Sequence, residues 1–203
     1  SDVCSSDLIS AARANNGVGI VGMCPECTLV PVRILGNDGG TLSESIAGFE
    51  HAIAADAWVI NNSWGYSESQ PVPDALAEAI TRAATVPRGG LGAVVVFAAG
   101  NDDREVKAKE MLGLDGVLCV SAVDSYGQPT GYTNYGDPVD LAAPSATVTI
   151  GPDNTIIETF GGTSAAAPVA SGIAAWILAQ DPDLSAADRS EEHTSELQSP
   201  YVI

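Results

Sequence analysis

The residues best suited to chemistry are Gly161-Gly162-Thr163-Ser164-Ala165-Ala166-Ala167-Pro168. A turn of small residues delivers a serine, and an apolar, Ala-rich run that reads as a buried helix follows at once. A hydroxyl at a helix N-terminus sits among free backbone N–H groups, where the helix dipole favours developing negative charge. Nucleophilic attack by Ser164 on a carbonyl is the chemistry that suits this placement. Two further segments carry unusual residues where predicted strands end. Trp58–Ser63 runs into Trp64-Gly65-Tyr66, and Ala93–Ala99 runs into Gly100-Asn101.

These residues need elements to hold them. Apolar runs of strand length alternate with stretches of helical period along the chain. Strands are predicted over Thr28–Leu35, Trp58–Ser63, Ala93–Ala99, Val117–Val123 and Asp140–Ala143. Two short runs around Ile150 and Ile157 form a hairpin over Pro152-Asp153-Asn154. Helices are predicted over Leu42–Ala55, capped by Thr41 or Ser43, over Pro73–Thr85, and over Gly162–Gln180. Strands that alternate with helices and read as continuous apolar runs imply an α/β fold, a mostly parallel sheet covered on both faces. Pro168 interrupts the helical hydrogen-bond ladder. Gly162 lets the chain pass close to the serine.

In their order and content these segments resemble the subtilisin-like serine proteases (subtilases). The lead-in Ile9–Gly17 followed by Gly22-Met23-Cys24-Pro25 resembles that family too, so the likeness runs over nearly all of residues 9–188. It implies a three-layer subtilisin-like fold and peptide-bond hydrolysis through a serine acyl-enzyme. It makes Ser164 the nucleophile and Asn101 the side-chain oxyanion donor. Ser63, Trp64, Gly65, Ala99 and Gly100 would bind the substrate as an added strand. Trp64 departs from the small or aliphatic residue more frequent there. The implied partner is a polypeptide and the implied location extracellular. The chemistry requires no cofactor, and the intact protein could carry structural calcium.

The rest of a triad is missing from the pattern. The chain has two histidines, His51 and His193. His51 reads as an exposed residue in the middle of a helix. The family places its base histidine at the start of the helix that ends near Ala14, with the orienting aspartate on a strand before it. Both slots fall at or upstream of residue 1, so the chain is expected to be inactive as it stands. Other serine-hydrolase patterns fit worse: Gly-x-Ser-x-Gly fails at Ala166 and Ser-x-x-Lys at Ala167. The alternatives are a non-catalytic peptide-binding relative and an acidic, calcium-carrying structural domain. The second would use Asp102, Asp103 and Glu105, whose spacing matches no defined calcium loop.

Both ends read as foreign. One coding sequence for residues 189–195, read on the opposite strand, translates as Ser-Asp-Val-Cys-Ser-Ser-Asp-Leu, which is residues 1–8. Such an inverted repeat marks a DNA adapter read through at both ends of a fragment. Residues 1–8 and 189–203 are therefore expected to be adapter-derived, and 9–188 to be a partial catalytic domain.

Composition sets further limits. The formal net charge of −18 argues against nucleic acid as a partner. The most apolar helix candidate, Ala165–Ala179, is too short for a membrane span and is broken by Pro168 and Gly172. A monomer is expected. Cys24 and Cys27 form a Cys-x-x-Cys before a predicted strand. With no second Cys/His pair to complete a metal site, a local disulfide is favoured, with free thiols as the alternative. Cys119 reads as a core residue.

Overall fold

The computed structural model describes residues 5–36, 39–151 and 154–186. Four parallel strands form the central sheet in the order β1 (Val59–Asn62), β2 (Val94–Ala98), β3 (Val117–Val123) and β4 (Leu141–Pro144). A separate antiparallel pair follows, β5 (Thr147–Ile150) with β6 (Ile156–Phe160). The expected hairpin is thus present, while residues 152 and 153 of its turn lie outside the described residues. The helices are α1 (Ser5–Ala11), α2 (Leu42–Ala54), α3 (Asp74–Thr85) and α4 (Thr163–Gln180).

Strand β2 is buried along its whole length, and its alternating side chains feed two cores. Val95 and Phe97 point to a cluster with Phe49 of α2 and Leu76, Ile80 and Ala83 of α3. Val94, Val96 and Ala98 meet Ala166, Ala167, Ala170 and Ala174 of α4. The Ala-rich composition of α4 lets it pack against all four strands, and α1 lies against it. The result is the three-layer α/β arrangement that the alternation of elements implied.

Local chemistry sets the helix boundaries. The Thr41 hydroxyl accepts from Glu44 N (3.2 Å) while the Glu44 carboxylate accepts from Thr41 N (2.8 Å), a reciprocal cap that starts α2. Pro168 does not break α4. Its missing N–H leaves the Ser164 carbonyl without a helical donor. The Ser63 hydroxyl supplies one at 3.2 Å, and the helix runs on to Gln180.

Two expectations need correction. Thr28–Leu35 is not a strand. Val30, Val32 and Leu35 are 47%, 40% and 49% exposed, and an apolar groove of about 430 Å³ separates this segment from β1. Strand-forming residues without a ladder partner among the described residues gain no hydrogen bonds from pairing. The second concerns Ser5–Leu8: a segment foreign to the domain is expected to pack poorly, and these residues do not. These residues form the first half of α1, with Ser6 buried and the Ser5 carbonyl accepting from the Thr149 hydroxyl at 2.6 Å. Their sequence is compatible with a helix, and the buried Ile9 anchors the turn that follows. Val3 and Leu197 lie outside the described residues.

Cys24 and Cys27 are disulfide-bonded within one turn, with Cα atoms 5.4 Å apart. Cys119 is a buried free thiol. Burial, with Asp140 and Glu110 nearby, pushes it far above the usual thiol range, so it is an inert core residue. Among the described residues no helix is long and apolar enough to cross a membrane.

Candidate active site

Parallel pairing of Asn62 with Phe97 brings the carboxyl ends of β1 and β2 side by side. The segments leaving them, together with the start of α4, line one cleft of about 250 Å³. Ser63, Trp64, Gly65, Ala99, Gly100, Asn101 and Ser164 all border it. Every site residue expected from sequence therefore meets in one place, at the sheet edge where α/β proteins bind ligands.

Ser164 is the second residue of α4 and is half-buried. Its hydroxyl donates to the Ser63 carbonyl at 3.4 Å. The Asn101 Oδ1 accepts from Thr163 N at 2.8 Å and from the Thr163 hydroxyl at 3.1 Å. These two donors orient the amide and turn its Nδ2 hydrogens away from Thr163. Gly162, at φ +77°, makes the approach feasible. A Cβ there would sit 3.1 Å from Asn101 Oδ1 and 3.2 Å from Nδ2. Gly162→Ala is expected to displace the Asn101 amide and to cost about 1–2 kcal/mol from the left-handed backbone alone. A shifted Asn101 side-chain amide signal in the NMR spectrum, with a lowered melting temperature, is the expected observation.

Trp64 reaches inward. Its indole N–H donates to Asn62 Oδ1 at 3.1 Å. Its ring stands edge-on to Phe97 at 5.3 Å and tilted to Phe49 at 6.5 Å. A residue unusual at this position is thus accommodated as part of the α2–β2 core. His51 is exposed on α2 and does not line the cleft.

The far wall rests on a charge pair that sequence reasoning missed. Arg104 grips the Glu110 carboxylate with both terminal nitrogens, at 3.0 and 2.8 Å. It also donates to the Ser67 carbonyl at 3.2 Å and the Tyr66 carbonyl at 3.4 Å, both on the strip leaving β1. Glu110 further accepts from Ser69 Oγ and Lys107 N. Burial alone would raise the Glu110 carboxyl. The hydrogen bonds from Arg104, Lys107 and Ser69 outweigh it and hold the group below its ordinary value. A carboxylate with a depressed folded-state pKa stabilises the fold above its unfolded value. That contribution is lost as pH falls through the folded value. Glu110→Gln is expected to cost roughly 2–3 kcal/mol in urea melts at neutral pH and to flatten acid sensitivity below the carboxylate range. The figure is below that of a fully buried pair because the Arg104 side chain is 20% exposed.

Asn134 was also missed. It is fully buried behind the Ala99–Arg104 loop. No local pattern in the sequence separates Glu110 or Asn134 from surface residues. Asp102 and Asp103 are exposed, and Glu105 pairs with Lys107. Among the described residues no three His, Cys, Asp or Glu side chains are grouped to hold a metal ion.

A serine and an asparagine thus meet at the carboxyl edge of a parallel α/β sheet. The chain belongs to the subtilase family, whose profile matches residues 9–198. It is 33% identical over 174 residues to a thermophilic serine proteinase of Bacillus sp. (strain AK1), which covers 85% of the chain and 41% of that protein. It is 33% identical over 183 residues to subtilisin DY of Bacillus licheniformis, covering 87% and 63%. A calcium-dependent protease of Trichormus variabilis is 28% identical over 211 residues, covering 85% and 32%. Among solved structures, a cold adapted subtilisin-like serine proteinase superposes with a TM-score of 0.71 at 25% identity, over 86% of this chain and 62% of that one. The chain thus spans less than two thirds of the length of each of these proteins.

Proposed function

We propose that the chain carries the nucleophile and oxyanion half of a secreted, monomeric serine endopeptidase acting on polypeptides. As given, it would not turn over. The observation that supports this reading is the clasp of Asn101 Oδ1 by Thr163, the residue before Ser164. An extended peptide would lie between Ser63-Trp64-Gly65 and Ala99-Gly100 as an added strand. Ser164 Oγ would bond to the carbonyl carbon and give its proton to a general base. Asn101 Nδ2–H and the Ser164 N–H, free of a helical acceptor in the first turn of α4, would hold the oxyanion. The amine leaves with the proton from the base, and water then cleaves the acyl-serine. Calcium named for two relatives enters no step here.

The coding DNA upstream provides the test. Restoring it should add a strand ending in Asp-(Thr/Ser)-Gly and a helix starting His-Gly-Thr. The extended protein should then react rapidly with a fluorophosphonate at Ser164. Asn101→Ala should lower kcat by about 10²–10³, the loss known for an oxyanion donor in subtilisin, a relative of this chain. An extended protein with neither acid nor base would favour a non-catalytic peptide-binding relative.

A further inference from the structure

We infer that Asn134 is the positioning residue for the Asn101 amide, fixing the backbone of the loop that carries it. This rests on reading Asn101 as an oxyanion donor. Asn134 lies between β3 and β4 and is 0% exposed, an environment asparagine seldom enters unless both polar atoms of its amide are bonded. Here both are. Nδ2 donates to the Ala99 carbonyl at 2.8 Å. Oδ1 accepts from Asp102 N at 3.0 Å and from Arg104 N at 3.2 Å. The Asn134 backbone N–H donates to the Gly100 carbonyl at 3.0 Å. One residue thus binds the chain on both sides of Asn101, at 99 and 100 before it and at 102 and 104 after it.

The surroundings agree. Residues 132–135 run alongside 103–106, with Asp103 N donating to the Tyr132 carbonyl, Tyr135 N to the Arg104 carbonyl and Val106 N to the Tyr135 carbonyl. Gly100 has φ +103°, and a Cβ there would collide with Asn134 Nδ2. Thr163 sets the rotation of the Asn101 amide from outside; Asn134 sets the loop from inside. An aspartate at 134 could not donate to the Ala99 carbonyl. An aliphatic residue would supply no partner to the Ala99 carbonyl or to the N–H groups of Asp102 and Arg104.

The readout uses the chain as it is and compares two ligands. Acetyl-Ala-Ala-Ala-Leu with a free carboxylate presents anionic oxygens to the donors; its carboxamide does not. Calorimetry should show the acid binding wild type about tenfold more tightly than the amide. In Asn134→Ala this ratio should fall to about one, with amide affinity within about twofold of wild type. Asn134→Asp should do the same, since a carboxylate oxygen would face the Ala99 carbonyl; it decides the matter if the alanine variant does not fold. Leu178→Ala, a buried change at the far end of α4, should lose stability and keep the ratio. Asn134 variants that keep the ratio, or weaken both ligands equally, overturn the inference. A wild-type ratio of one overturns the oxyanion reading itself, and this inference with it.

Discussion

With saturating peptide, the 203-residue chain is expected to turn over about 10⁶-fold more slowly than a subtilase with a complete triad. That magnitude is the loss of kcat known for removing the histidine or serine in subtilisin, a member of the same family. The physical reason is the fate of the Ser164 proton. The hydroxyl faces the Ser63 carbonyl, which accepts a hydrogen bond but cannot remove a proton at neutral pH. His51 is exposed and away from the cleft lining, so a general base would need a contact that this histidine does not make. His193 lies outside the described residues. A fluorophosphonate should therefore label Ser164 slowly, and at the same rate in His51→Ala and His193→Ala. Rapid, stoichiometric labelling that either substitution abolishes would show that the chain already contains its base.

Phe97→Ala is expected to cost about 3–5 kcal/mol, the range for emptying a fully buried aromatic site. Phe97 is 0% exposed near the carboxyl end of β2. It contacts Phe49 at 6.3 Å and Trp64 at 5.3 Å, joining α2, the sheet and the cleft wall. The cavity cannot close easily, because β2 is held by ladders on both sides. Urea denaturation should show a lowered midpoint with an unchanged slope, and Trp64 emission should shift as its ring loses its edge-on neighbour. A loss below about 1 kcal/mol would mean that the aromatic trio repacks. The same substitution should weaken peptide binding, since Trp64 borders the cleft from this core.

The sequence by itself determined the alternation of elements and the parallel sheet, and it singled out Ser164 and Asn101, which the fold brings to one cleft. Apolar runs such as Ala93–Ala99 signal burial on both faces. Small residues before a buried helix signal a serine at its start. Both are local patterns, and local patterns survive in sequence. The pairing of Cys24 with Cys27 was legible for the same reason.

Only the tertiary structure decided which residues support the site. Thr28–Leu35 has strand composition, but a strand exists only where a neighbour supplies hydrogen bonds, and that partner is a long-range matter. Ser5–Leu8 pack because α1 finds α4, a contact between chain segments far apart in sequence. Trp64 and Asn134 owe their roles to partners distant in sequence, Phe49 and Phe97 and the Ala99–Arg104 loop, while Glu110 ties its near neighbours Arg104 and Lys107 to the distant Ser69. The polarity of Glu110 and Asn134 reads as surface in sequence, because burial of a satisfied polar group depends on where its partners end up.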